Sequence, residues 1–278
     1  MPEFISANEP AIRVGCFLGI FAAVALWELA APRRALSQPR WLRWYANIGI
    51  VVFNTVAVRL IFPLFPVALA VVAADRGWGV LNLVALPLWL EIVIAVLVLD
   101  LVIYLQHVMF HAVPALWRLH RMHHADLDFD VTTGSRFHPF EIILSVLLKL
   151  AAVVVLGPPA VAVVVFEVLL NGTSMFNHGN LRLPPGLDRV LRWAIVTPDM
   201  HRVHHSDIPA ETNSNFGFNL PWWDRLFGTY RAQPGLGHEA MTIGLDAFRD
   251  GAELHLHNML VQPFRRGEGE YAINRRPR

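Results

Sequence analysis

The chain has 278 residues, of which 55% are hydrophobic and only 16% are charged, and its 23 Lys and Arg residues nearly balance its 22 Asp and Glu residues. Soluble domains carry about 25% charged residues, so this composition excludes an ordinary soluble protein and indicates a membrane protein. The near-zero net charge argues against a nucleic-acid partner, because a phosphate backbone is bound by a basic surface. The one cysteine, Cys16, cannot form a disulfide within the chain.

Four apolar stretches predict membrane-embedded helices. Residues 11–31, 47–73 and 80–111 are each long enough to cross a hydrocarbon core of about 30 Å. Residues 140–175 are also apolar, but a Gly-Pro-Pro sequence at 157–159 interrupts them, so we expect a helical hairpin that dips into or just spans the membrane. The sequence therefore predicts an all-α integral membrane bundle of three long spans plus a helical hairpin, with a cytoplasmic helical cap.

The charges between the spans predict the orientation. The link between the first two spans contains four arginines and no acid, whereas the next link contains only Asp75 and Arg76. Because positive loops stay in the cytoplasm, we expect the N-terminus outside and the C-terminus inside a membrane of the bacterial inner-membrane type. All of the histidine motifs described next would then lie on the cytoplasmic side.

Histidine is unusually frequent, with 13 in the chain, and eight of these lie in three groups. The first pair is four residues apart at the end of the third span, and the other two groups share the pattern H-x-x-H-H. These spacings bring the imidazoles of one group to one helical face, where they can reach a common ion. The eight residues are His107, His111, His120, His123, His124, His201, His204 and His205.

A metal centre is the interpretation that this many imidazoles favour. Protonated rings would repel one another, whereas a cation would hold them together as neutral ligands. Eight ligands exceed the needs of one ion, so we expect two. An all-nitrogen ligand set suits zinc, copper, iron and nickel alike, and it does not choose among them.

The order of the motifs resembles the fatty acid hydroxylase and sterol desaturase superfamily. The resemblance covers residues 95–232 and rests on HVMFH, LHRMHH, RFHPFE, FNHGN, MHRVHH and NSNFGFNLPWWDRLFGTY. It implies an integral membrane oxygenase with a non-haem di-iron centre, although zinc could replace iron in purified protein. It adds His178 of FNHGN to the eight ligands, and it makes His138 either a ligand or a supporting residue. Some members have a histidine where this chain has Ser174, so a tenth ligand would require His138 or another donor.

The resemblance also divides the chain. Within one membrane domain, residues 1–278, we expect N-terminal transmembrane helices at 1–94 and the hydroxylase-like catalytic region at 95–232. Residues 233–278 would form a cytoplasmic tail. This tail contains five arginines that could dock an electron carrier or contact anionic lipid, namely Arg265, Arg266, Arg275, Arg276 and Arg278.

Acidic residues near the motifs are candidates for supporting the ligands. A ligating imidazole usually donates its second N–H to a carboxylate or carbonyl, and we expect Asp126, Asp199 and Asp224 to accept such bonds. For Asp128 and Asp130 a solvated loop is an equal alternative.

Three charged residues fall within the predicted spans. Helical rise puts Asp100, Lys149 and Glu167 about 10–12 Å inside the membrane, where we expect them to meet as a buried cluster. Alternatively, Lys149 extends to the surface.

The function implied by the resemblance is hydroxylation or desaturation of a lipid, whether fatty acyl, sterol or related, by O2 and external electrons. The chain has no electron-carrier motif, so a separate donor of the ferredoxin, cytochrome b5 or reductase type is expected. The alternative is a metal-handling or lipid-binding membrane protein with a structural zinc site and no oxygenase activity.

Overall fold

The structure is a computed structural model that describes residues 8–265 and 271–273. Across these residues the secondary structure is helical, with two isolated β-bridges and no strand. Five segments are long and apolar enough to cross a membrane. The all-α membrane bundle predicted from the sequence is therefore confirmed. These five segments are Glu9–Ala30, Arg40–Leu83, Leu88–Ala112, Pro139–Leu156 and Ala160–Asn177.

Seven helices build the bundle and its connection to the site. They are α1 (Glu9–Ala30), α2 (Arg40–Ile61), α3 (Pro66–Arg76), α4 (Leu88–Ala112), α5 (Pro114–His124), α6 (Pro139–Leu156) and α7 (Ala160–Asn177). Six shorter helices follow, namely α8 (Pro185–Leu191), α9 (Pro198–His204), α10 (Pro209–Thr212), α11 (Trp222–Leu226), α12 (Gly237–Ala240) and α13 (Leu256–Val261).

Prolines shift two of the predicted helix boundaries. The expected second span is divided into α2 and α3, because Pro63 and Pro66 lack the amide hydrogen that a continuous helix requires. The third span begins at Leu88 rather than at residue 80, directly after Pro87, and residues 80–83 form a short 3₁₀ turn. The core of each predicted span is nonetheless helical.

The predicted hairpin turns at Gly157. This residue ends α6 with φ +64°, a conformation that glycine adopts without strain, and Pro158 and Pro159 precede α7. A Cβ atom at Gly157 would lie 2.3 Å from the carbonyl oxygen of Trp78. The hairpin tip and the turn after α3 are therefore packed backbone to backbone at one end of the bundle.

Several of the remaining loops lie at the opposite end of the bundle. Backbone hydrogen bonds of 2.9 Å join Arg33 to the carbonyl of Asn180 and Ile273 to the carbonyl of His111. At this end, the segment after α1 therefore contacts the segment after α7, and residues 271–273 contact the end of α4. Of the basic tail, Arg265 pairs with Glu253 at 2.5 Å, while Arg266, Arg275, Arg276 and Arg278 lie outside the described residues.

The charged residues within the bundle meet only in part as expected. Lys149 Nζ lies 3.2 Å from Glu167, and Arg13 of α1 pairs with the other oxygen of Glu167 at 3.2 Å. Asp100 does not join them. It accepts hydrogen bonds from the indole of Trp223 at 2.8 Å and from the backbone N–H of Leu220 at 3.3 Å, because the loop before α11 packs against α4.

The acidic loop after α5 is buried around an arginine. The guanidinium of Arg43 is fully buried and donates to both oxygens of Asp126, at 2.8 and 2.9 Å, and also to Asp130. Asp128 is 7% exposed and accepts from backbone N–H groups. Burial would raise the pKa of Asp126, but the charge of Arg43 lowers it below its ordinary value. The solvated-loop alternative for Asp128 and Asp130 is therefore wrong.

We expect Asp126→Asn to destabilise the fold by about 3 kcal/mol, because it removes one of the two carboxylates that bind the buried guanidinium of Arg43 and leaves Asp130 alone to compensate that charge. Unfolding in detergent would measure the change. Asp75→Asn, at an exposed aspartate in the last turn of α3, is the matched control and should cost little. Equal stability of the two variants would contradict a structural role for the Arg43–Asp126 pair.

Candidate metal centre

The fold brings nine of the ten predicted ligand histidines into two adjacent groups, all of them buried. Within each group, one ring nitrogen per histidine lies within 4.8 Å of every other. The first histidine group contains His107, His111, His120, His124 and His204. The second histidine group contains His123, His178, His201 and His205.

Each H-x-x-H-H motif contributes to both groups. Residues four apart lie on one helical face, so His120 and His124 enter the first group while His201 and His205 enter the second. The middle histidine of each motif, His123 or His204, points to the other group. The expectation that the three rings of a motif share one face is therefore wrong, and the two groups share their supporting helices α5 and α9.

Ring chemistry in the first histidine group favours a cation. His107 donates its Nδ1–H to the carbonyl of Phe216 at 2.8 Å, and His204 donates to the carbonyl of Ser214 at 2.7 Å. A neutral imidazole with a hydrogen on Nδ1 has only a lone pair on Nε2. The Nε2 atoms of these two rings are 3.0 Å apart, so two lone pairs face each other with no hydrogen between them.

The second histidine group repeats this arrangement. The Nδ1–H groups of His123 and His178 donate to the carbonyls of Arg136 at 3.2 Å and Ser174 at 2.8 Å. Their Nε2 atoms are 3.2 Å apart, and the Nε2 of His201 is 3.1 Å from that of His178. Lone pairs again converge on one point.

These spacings fit metal ligation. Two nitrogens that are each about 2.1 Å from one ion and at a right angle to each other are about 3.0 Å apart. Several ring nitrogens also have no hydrogen-bond partner although they are buried, namely those at His111 Nε2, His201 Nδ1 and both nitrogens of His124 and His205. The donor set therefore fits a metal ion in each group.

Burial keeps the rings neutral. Loss of hydration lowers the pKa of the α5 and α9 histidines, to about 3 for His120 and well below the ordinary value for His124 and His204. Neighbouring imidazoles lower the pKa of His124 and His204 further. Neutral imidazole is the form that binds a metal.

One carboxylate that supports a ligand ring, Glu141, was not predicted from the sequence. His120 donates its Nδ1–H to Glu141 at 2.6 Å, in the first turn of α6, and Glu141 is 4% exposed. His111 interacts in the same way with the side-chain oxygen of Asn213 at 3.0 Å. Glu141 lies in the RFHPFE motif, so the motif contained the signal, but no spacing rule linked it to His120.

The three predicted aspartates support the site only indirectly. Asp224 accepts the backbone N–H groups of Phe216 at 2.8 Å and Gly217 at 2.9 Å, and so fixes the carbonyl that His107 uses. Burial raises the pKa of Asp224 to about 6. Asp126 pairs with Arg43 and Asp199 with Arg33 and Arg202. Six of the nine rings instead direct Nδ1 to a backbone carbonyl, to Glu141 or to Asn213.

His138 lies outside both groups. Its Nδ1 accepts the backbone N–H of Phe140 at 3.3 Å and caps α6, and its Nε2 lies 3.3 Å from the carbonyl of Leu260. His138 is therefore a helix cap, and the predicted tenth ligand is absent from the two described groups.

Ser174, at the position of the extra histidine of some family members, supplies its backbone carbonyl to His178. A Cβ atom at Gly134 would lie 2.7 Å from that carbonyl, so glycine lets the loop before α6 pack against it.

We expect Glu141→Gln to weaken metal binding by the first histidine group about 10- to 100-fold, because carboxylates that hold a ligand ring raise its basicity and fix its orientation. Competition with a chelator for Fe²⁺ would measure the affinity. The exposed Glu239 provides the control variant Glu239→Gln, which should bind like the wild type. An unchanged affinity in Glu141→Gln would show that the carboxylate does not support a ligand.

The fatty acid hydroxylase family matches residues 92–229, the part of the chain that carries both histidine groups. Ornithine lipid hydroxylase of Rhizobium tropici is 26% identical over 276 residues, which cover 94% of this chain and 78% of that protein. Alkylglycerol monooxygenase of Xenopus tropicalis is 32% identical over 46% of this chain and 27% of its own length. Cholesterol 25-hydroxylase of Rattus norvegicus is 25% identical over 52% of this chain and 48% of its own length.

No solved structure matches the chain. The relatives are named as hydroxylases and monooxygenases, which are oxidoreductases. The matched region includes every histidine of the two groups together with Glu141 and Asp224. With its five apolar helices, this chain is an integral membrane protein of the fatty acid hydroxylase and sterol desaturase superfamily, as the histidine motifs indicated.

Proposed function

We propose that this chain is a membrane-bound oxygenase that hydroxylates a lipid with O2 and externally supplied electrons. The observation that carries the proposal is the pair of buried histidine groups at the end of α4, next to the membrane-spanning bundle. One oxygen atom of O2 would enter a C–H bond and the other would leave as water, with two electrons and two protons supplied from outside. The names of the relatives favour hydroxylation over desaturation.

Two iron ions are the cofactor that we propose, one in each histidine group. An unactivated C–H bond offers no acidic proton or leaving group, so the oxidant would be O2, which the bound metal would activate. The protein's own contribution is to hold the ligand rings in one tautomer through Phe216, Ser214 and Glu141. It also excludes water, since the nine rings are at most 3% exposed.

The substrate that we propose is a membrane lipid with a hydrocarbon chain. The ornithine lipid hydroxylase of Rhizobium tropici aligns over 94% of this chain, so ornithine lipid is the first substrate to test. An identity of 26% does not specify the headgroup of the substrate, so the same screen should include fatty acyl and sterol-like lipids.

The electron donor would be a separate protein of the ferredoxin, cytochrome b5 or reductase type. It would approach from the cytoplasm, if the arginine-rich segment after α1 stays on that side of the membrane. That segment packs against the residues after α7, at the end of the bundle that carries the histidines, and the N-terminus of α1 would then face outward.

Metal analysis distinguishes this proposal from a structural zinc site. We expect about two irons per chain in the wild type and His138→Ala, because His138 is outside both groups, and fewer in His204→Ala. His255→Ala, an exposed histidine outside the matched region, is the matched control. Tightly bound zinc, with no O2 uptake after iron replacement and reduction, would contradict the oxygenase proposal.

Isotope labelling tests the reaction itself. Membranes that contain the wild type, a reductant and ¹⁸O2 should yield lipids that carry one ¹⁸O atom, detected by mass spectrometry. His204→Ala should yield at most about one hundredth of this product, because it removes a proposed ligand, whereas His255→Ala should match the wild type. Oxygenated lipid that carries no ¹⁸O would show that its oxygen came from water and would rule out a monooxygenase.

A further inference from the structure

Two phenylalanine rings each bridge the two histidine groups. The ring centroid of Phe218 is 5.1 Å from that of His107 in the first group and 6.0 Å from that of His201 in the second. The ring of Phe137 stacks on His123 of the second group at 4.5 Å and on His120 of the first at 6.2 Å. Each ring therefore covers the region between the two proposed metal positions.

Both phenylalanines pack in the apolar core of the helical bundle. Phe218 is 9% exposed and packs in a hydrophobic cluster with Leu99 and Ile103 of α4 and Phe166 of α7, and the half-buried Phe137 packs against the same cluster. The backbone carbonyl of Phe137 accepts a hydrogen bond from Asn54 of α2 at 2.9 Å. These two rings thus lie between the histidines and the apolar interior of the bundle.

One other aromatic ring at the histidines, that of Phe129, lies on a different side of the centre. Phe129 contacts His178 and His205, at 5.5 and 5.0 Å, but packs against Met241 and Ile243 of the C-terminal segment rather than against the spanning helices. It is 3% exposed, so it provides a phenylalanine of similar burial on a different side of the same centre.

We propose that Phe137 and Phe218 position the hydrocarbon chain of the substrate, which reaches the centre from the bilayer interior along the Leu99–Ile103–Phe166 cluster. This inference rests on the proposed function and names the substrate portion that the site recognises. A methylene chain has no polar group for a hydrogen bond, so only packing against apolar surfaces decides which carbon lies nearest the metals. One methylene in an apolar pocket changes selectivity about 10- to 200-fold, which is sufficient to fix one position.

Photocrosslinking tests chain access without requiring turnover. The photoreactive p-benzoylphenylalanine would replace Phe137, Phe218 or Phe129 in separate full-length proteins, which would be irradiated in vesicles of phosphatidylethanolamine and phosphatidylglycerol. We expect lipid adducts, identified by mass spectrometry, at positions 137 and 218 and at most about a tenth as many at position 129. Equal yields at the three positions, or protein-only adducts at 137 and 218, would overturn the inference.

A second measurement uses smaller substitutions that preserve an apolar core. Phe218→Leu and Phe137→Leu should change the ratio of oxygenated carbon positions about tenfold, because the end of the chain packs differently. Phe129→Leu should leave the oxygenated carbon positions unchanged, whatever its effect on the yield of oxygenated lipid. Metal content of each variant would show that the centre is intact.

The two outcomes separate the inference from the function on which it rests. Adducts at positions 137 and 218 without any oxygenated lipid in the wild type would support chain access and contradict the oxygenase. Oxygenated lipid in the wild type, with positions that do not change in Phe137→Leu and Phe218→Leu, would support the oxygenase and overturn the role of the two rings.

Discussion

A neutral imidazole offers one N–H and one lone pair, and this rule constrains the whole site. Four rings commit their Nδ1–H to fixed backbone carbonyls, so their Nε2 lone pairs all point inward. Burial prevents the protonation that would otherwise separate the rings. Converging lone pairs at 3.0–3.2 Å are unfavourable without a cation, so the fold and metal binding are coupled in this region.

The remaining structure holds the acceptors in place. Glu28, at the end of α1 and fully buried, accepts the backbone N–H groups of Val131 and Asn180 at 2.7 Å each. Arg43 of α2 binds the loop after α5, and Asp224 binds the segment at Phe216. These buried charged residues thereby replace water as partners for the loops, whose polar groups would be costly to bury unpaired.

The two histidine groups are mechanically coupled, because each H-x-x-H-H motif contributes histidines to both of them. Helix α5 supplies three histidines, of which His123 belongs to one group and His120 and His124 to the other. A shift of this helix therefore moves ligands of both groups together. Phe137 and Phe218 also touch both groups, so the apolar side of the centre follows the same movement. Such coupling would keep a substrate chain aligned with both metal positions.

The sequence by itself determined the helical class, the approximate spans, the hairpin turn and eight of the nine histidines that the fold brings together, because apolar length, Gly-Pro-Pro and helical spacing are local signals. The ninth, His178, came from the resemblance to the family. Only the tertiary structure decided which histidines share a group, since that depends on how α4, α5 and α9 cross. It also showed that Glu141 and backbone carbonyls, rather than the nearby aspartates, hold the rings. His138 became a helix cap and Asp100 a partner of Trp223 for the same reason, because hydrogen-bond partners are set by distances between segments far apart in the chain.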